Sequence, residues 1–205
     1  MLATRYWKAI YKYVRLRWRK EPLEAEEITQ EFFLRAVDKN ALGGYDARQA
    51  RFRTFVRVRV DGLVIDWQRH HRAKKRGGGA SIHPLDFTNA EEELSDEASG
   101  IVDPEELFRA EWVKSLLQAA LQSLRAKCKC EAKGEHFRAF ELFHLREHSY
   151  DAIATELGIS VRDVDNRLAY ARREFRGAVL EALRECTGSE QEMHEEAQSV
   201  LGLRF

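Results

Sequence analysis

Twenty residues near the C-terminus constrain this chain more than any other stretch. Ser149 to Leu168 read SYDAIATELGISVRDVDNRL. Gly158 can take the left-handed conformation that ends a helix. Ser160, with Asp163 three residues later, forms a capping box that starts the next helix. Ile153, Leu157, Ile159, Val164 and Leu168 are spaced to pack the two helices together, and Ala154 is small where they cross closely. The pattern reads as helix-turn-helix, with a helical pair used only for packing as the alternative. In a helix-turn-helix the second helix lies in the major groove with its N-terminal residues at base edges. Ser160, Arg162, Asp163, Asn166 and Arg167 stand there. Tyr170 follows on the same helix, and Arg172, Arg173 and Arg176 suit phosphates better than bases.

The rest of the chain reads as helix too. It holds only three prolines in 205 residues, so long helices are permitted. Trp7, Ile10, Tyr11, Val14 and Trp18 predict a helix over 5–20 with its basic residues on the other face. Over 24–38, Ile28, Phe32, Phe33 and Val37 form the buried side, and Glu27, Gln30, Glu31 and Arg35 face outward. In 49–73, Val56 to Val60 alternate like a strand. Phe52, Phe55, Val56, Leu63 and Trp67 nevertheless share a helical face and no hairpin partner lies nearby, so a helix is expected, bent at Gly62. Asp103-Pro104-Glu105-Glu106 starts a helix that runs to Leu124. Residues 125–134 read as a charged connector and 135–146 as a helix. Ser189 to Glu192 form a capping box for a last short helix.

Charge divides the chain further. Lys plus Arg equal Asp plus Glu overall, yet residues 1–76 carry nineteen basic and nine acidic side chains, and residues 77–112 carry one and ten. A basic N-terminal third attracts a polyanion to one part of the molecule. The expected architecture is all-α: two small helical domains, 1–76 and 104–185, joined by a flexible acidic linker, 77–103, with a C-terminal extension, 186–205. Three cysteines make no disulfide framework, no apolar run suits a membrane span, and the N-terminus lacks a signal-peptide block. These features point to the cytoplasm and to no membrane partner.

Two motif sets in fixed order resemble a known family. EEITQEFFLR at 26–35 looks like the polymerase-binding helix of bacterial sigma factors. RFRTFV at 51–56 and DWQRHHRAKKR at 66–76 follow it, as in the promoter-melting domain of the extracytoplasmic-function (ECF) sigma factors. The helix-turn-helix and VDNRLAYARREF at 164–175 resemble their second DNA-binding domain. The FRTF, AKKRGGG and RAKCKCEAKGE stretches look most like a group common in planctomycetes. The resemblance covers about residues 5–76 and 105–185. It implies that Glu27, Gln30, Glu31 and Phe33 dock on the clamp helices of the RNA polymerase largest subunit. It also implies that Trp67, Arg69, His70, Arg72, Lys74, Lys75 and Arg76 meet promoter duplex and the non-template single strand where strands separate. Phe52 and Phe55 are expected in the core. An anti-sigma factor is a further partner the resemblance allows. The linker would thread the RNA exit path, where Glu91, Glu92, Glu93, Asp96 and Glu97 either imitate nucleic acid charge or form a solvated spacer. Two positions depart from the family: Gly62 lies where an asparagine usually borders the pocket for a flipped base, and Asp165 lies where lysine is usual.

No catalytic chemistry is legible. Cys128-Lys129-Cys130 with His136 lacks the spacing of common structural zinc sites. No phosphate-binding glycine loop or nucleophile motif occurs. No cofactor, metal or enzymatic activity is expected. A stand-alone helix-turn-helix regulator that never meets polymerase is the competing reading, and the 28–35 helix separates the two.

Overall fold

A computed structural model describes residues 2–37, 44–71, 85–97 and 103–202, without the side chains of 2, 37, 71, 95–97 and 201. Among the described residues there are nine helices and no strand: α1 (Leu2–Trp18), α2 (Pro22–Val37), α3 (Phe52–His71), α4 (Phe87–Glu97), α5 (Pro104–Cys130), α6 (Gly134–His144), α7 (Tyr150–Leu157), α8 (Val161–Arg184) and α9 (Glu190–Leu201). The all-α expectation holds, and the ambiguous 49–73 segment is helical. Its valines serve both patterns, since Val56, Val60 and Val64 are four apart and all fully buried while Val58 is exposed. The chain divides into two compact units. The first joins Met1–Ser115 to Arg184–Phe205, and the second is Leu116–Leu183.

In the first unit α1 is the central helix, packed against α2, α3 and α4. Tyr6, Ala9, Ile10, Tyr11, Tyr13 and Val14 are wholly buried. So much burial around one helix means that it is surrounded on several sides. The start of α5 belongs here, because Phe108 and Trp112 pack their rings on Tyr6 and Phe108 meets Tyr13. The division therefore falls inside α5, later than the sequence boundary at 104. The 186–205 extension also belongs to this unit, with Cys186, Met193 and Ala197 buried.

The basic side of α1 is covered. Residues 87–97, expected within a flexible linker, form α4, which lays Phe87 against Trp7 and Tyr11. Glu93 meets Lys8 at 2.9 Å, Lys12 at 3.1 Å and Lys114 at 3.2 Å, and Glu91 accepts from Tyr11 and Arg15. Lys12 is fully buried, with Glu111 at 3.0 Å as a second partner. A buried ammonium survives only with such partners. Hence Glu91 and Glu93 are engaged inside the unit, and their role as a nucleic acid mimic is not what this arrangement displays.

The second unit packs α6, α7 and α8 around the latter half of α5. Leu124, Cys128, Phe140, Leu142, Ile153, Val164, Leu168 and Ala171 form its core. The connector expected over 125–134 is mostly helix, since α5 runs to Cys130. It ends in a Schellman turn. Lys133 N–H donates to Cys128 O at 2.7 Å, Ala132 N–H donates to Lys129 O, and Ala132 has a φ of 56°. Alanine there carries the strain that glycine would not.

Burial opposes ionisation of Glu93, but hydrogen bonds from Lys8, Lys12 and Lys114 outweigh it and hold this carboxyl down to about 2. A carboxyl whose folded pKa lies below its unfolded value stabilises the fold above the unfolded value and loses that contribution as pH falls through the folded one. Stability from Glu93 is thus full above the ordinary glutamate range and disappears as the pH drops from there toward 2. Acid unfolding of Glu93→Gln followed by tryptophan fluorescence should show a lower plateau near neutrality and a shallower acid slope than the unsubstituted chain.

Candidate nucleic-acid and partner interfaces

The turn of the helix-turn-helix is built as its residues dictate. Ser149 caps α7, its hydroxyl accepting from Ala152 N–H. Gly158 ends α7 at φ 64°, and Ile159 N–H reaches back to Ala154 O at 3.0 Å. That pairing closes a second Schellman turn. The capping box is reciprocal. Asp163 N–H donates to Ser160 Oγ at 3.1 Å, while Ser160 N–H and Oγ–H donate to the Asp163 carboxylate at 3.3 and 2.6 Å. These bonds, the hydroxyl's first, hold the Asp163 carboxyl below its usual range. Asp163 is therefore occupied with the cap, which limits it as a base reader.

Along α8 the candidate residues separate by their partners. Arg162, Asn166 and Arg173 are exposed. Arg167 is half-buried and paired with Glu135 of α6. Tyr170 donates its hydroxyl to Glu131 at 2.6 Å, Lys133 lies 4.1 Å above its ring, and Arg173 lies 5.2 Å from it. Arg172 rests on the Phe143 ring at 4.9 Å and donates to His144. The free edge at the start of α8 is thus Arg162 and Asn166 with the exposed carboxylate of Asp165 between them, flanked by cations whose directions are set by α5, α6 and their connection. Sequence spacing missed Glu131, Lys133 and Glu135, because they lie some thirty-five residues from the side chains they orient.

The face of α2 expected to meet polymerase is exposed at Glu27 and partly exposed at Gln30 and Glu31. Glu31 pairs with Arg35 at 2.7 Å. Phe33 is a correction: it is only 5% exposed and stands edge-on to Phe32, so it belongs to the core. Leu23 and Leu34 are exposed, and both fall on the Glu27 stripe of α2.

At the far end of α3, Arg69 and His70 are exposed, and Trp67 is half-buried beneath the Lys20 ammonium, 4.5 Å from its ring. Arg72, Lys74, Lys75 and Arg76 lie outside the described residues. Phe52 and Phe55 are half-buried in an aromatic group with Tyr45 and Tyr6. Asp61 accepts from Tyr13 and Trp18 at 3.0 and 2.8 Å, so it is structural. Its neighbour Gly62 lines a groove of about 460 Å³ between α2 and α3, with Phe32, Arg35, Val58, Arg59 and Asp66. No atom would obstruct a side chain at Gly62, so packing does not demand the glycine. Among the described residues no group of three or more His, Cys, Asp or Glu is placed to hold a metal ion. Cys128 is buried and Cys130 exposed.

One helical unit thus carries an exposed, capped helix start with Arg162 and Asn166, and the other carries an exposed acidic and amide stripe on α2 and exposed Arg69 and His70 on α3. A family model for ECF sigma factors matches residues 9–181, and the chain belongs to that family. It is thus a sigma factor, a DNA-binding protein that acts with RNA polymerase in transcription initiation. No curated protein and no solved structure matches the chain. Among the described residues no helix is long and apolar enough to cross a membrane.

Gly158→Ala should lower the unfolding free energy by about 1 kcal/mol, the scale of a left-handed conformation forced on a side chain. No contact opposes the added methyl, so chemical denaturation would report the conformational cost alone.

Proposed function

We propose that this sigma factor divides promoter recognition between its units. The α2 face of Glu27, Gln30 and Glu31, with Leu23 and Leu34, docks on the clamp helices of the polymerase largest subunit. The distal end of α3, with Trp67, Arg69 and His70 and the basic run to Arg76, engages the downstream element, where strands separate. Aromatic stacking there is worth roughly 1–3 kcal/mol per base, and basic side chains hold the backbone. The α7–α8 pair reads the upstream element as duplex, with Arg162 and Asn166 at base edges and Arg172, Arg173 and Arg176 at phosphates.

The observation that carries this reading is the capped, exposed N-terminal edge of α8. Arg162 and Asn166 stand clear of the capping hydrogen bonds that engage Asp163 and the ion pair that engages Arg167. Arginine forks to guanine and asparagine to adenine are the side-chain pairings suited to such an edge. An anti-sigma factor that restrains the protein would compete for the same α2 and α8 faces.

Two outcomes test the assignment. Gln30→Ala combined with Glu31→Ala should weaken co-elution with core polymerase while leaving the circular dichroism spectrum intact; unchanged co-elution would remove the α2 dock. Arg162→Ala should relax base preference at one position of the upstream element by roughly 1–3 kcal/mol in a binding assay over a randomised promoter library. A uniform loss over all sequences would instead make Arg162 a phosphate contact.

A further inference from the structure

The family match ends at residue 181, and beyond it α9 turns its acidic face to one end of α3. Glu192 is buried and accepts three hydrogen bonds. They come from Phe52 N–H in the first turn of α3, from the Tyr45 hydroxyl at 2.6 Å and from Gly188 N–H at 2.9 Å. It thereby caps α3 from another element, satisfying an orphan amide and placing negative charge at the positive end of the helix. Glu196 is 1% exposed and accepts from Arg53 Nε at 2.7 Å, with Arg51 at 3.4 Å. The fit is close, since any side chain on Gly188 would collide with the Tyr45 ring. Ser189 caps α9 itself, accepting from Glu192 N–H at 3.1 Å.

Two buried carboxylates in one place are costly unless their partners stay put. The first turn of α3 supplies those partners, so α9 and that turn hold each other. α3 continues unbroken to Trp67, about 22 Å further along at 1.5 Å per residue. Pairing also withdraws Arg51 and Arg53 from the cationic surface, as Glu105 does for Arg57. A polyanion approaching α3 is thus directed to its distal end.

We propose that α9 is a positioning element for promoter opening. Glu192 and Glu196 fix the first turn of α3, and through that helix they hold Trp67, Arg69 and His70 in register with the separating strands. This rests on the reading that the distal end of α3 meets the promoter.

The test uses full-length protein reconstituted with core polymerase. Double-stranded promoter binding is measured by fluorescence anisotropy, and strand opening per bound complex by permanganate reactivity of thymines. Glu192→Ala and Glu196→Gln should keep binding within about twofold and lower opening per bound complex about tenfold, as expected when a buried hydrogen-bonding group loses its partner. Glu192→Gln, which retains an acceptor oxygen, should recover part of the loss. If Glu192→Ala does not fold, Tyr45→Phe removes a single hydroxyl bond and should give the same signature in smaller measure. Opening per bound complex that is unchanged, that rises, or that only tracks binding overturns the proposal; a rise would mark α9 as a lid. Trp67→Ala is the control. If it leaves opening intact, the distal-end reading fails and this proposal with it, whereas loss in Trp67→Ala alone removes only the role of α9.

Discussion

A single buried ammonium organises the first unit. Lys12 lies in the centre of α1 with no solvent around it, and removing a charge from water costs several kcal/mol unless opposite charges surround it. Glu93 of α4 and Glu111 of α5 provide them, and Glu93 is held in place by Lys8 and Lys114 as well. The acidic segment that looks like a spacer is therefore bound to the basic helix that looks like a free surface. Some of the opposed charges of the two sequence regions meet here, at Lys8, Lys12, Arg15 and Arg57, and the N-terminal positive field is smaller than the count of basic residues implies.

The same economy runs along α3. Arg51 and Arg53 pair with α9, Arg57 with Glu105, and Asp61 with the Tyr13 hydroxyl and the Trp18 indole. Each partner comes from a different element, so the helix is tied from its first turn to its middle. The residues without such ties, Arg69 and His70, lie beyond. In the proposed reading, a rod held firmly at one end and more exposed at the other suits a part that presents side chains to separating strands.

In the second unit, ion pairs and hydrogen bonds to carboxylates do the sorting. Glu135 holds Arg167, Glu131 holds Tyr170 and Lys133, and Ser160 holds Asp163. What remains outward at the start of α8 is short: Arg162, Asp165 and Asn166. In the proposed reading of the upstream element, a head with few unengaged polar groups makes few wrong contacts.

The sequence by itself determined the helices other than α4 and the last turns of α5, because their causes are local. The Gly158 stop, the Ser160 and Ser189 caps and the spacing of Val56, Val60 and Val64 act within a turn or two of chain. It also determined the family, through motifs whose order survives without knowledge of packing. It did not determine where charges end up. That Lys12 is enclosed, that residues 87–97 form a docked helix and that the last helix returns to α3 were decided by tertiary structure alone, whereas the burial of Phe33 was already in the helical spacing of α2. The reason is physical: a hydrogen-bonded cap is a contact between neighbours in sequence, whereas a buried ion pair joins residues tens to more than a hundred positions apart, and only the folded backbone brings them within 4 Å.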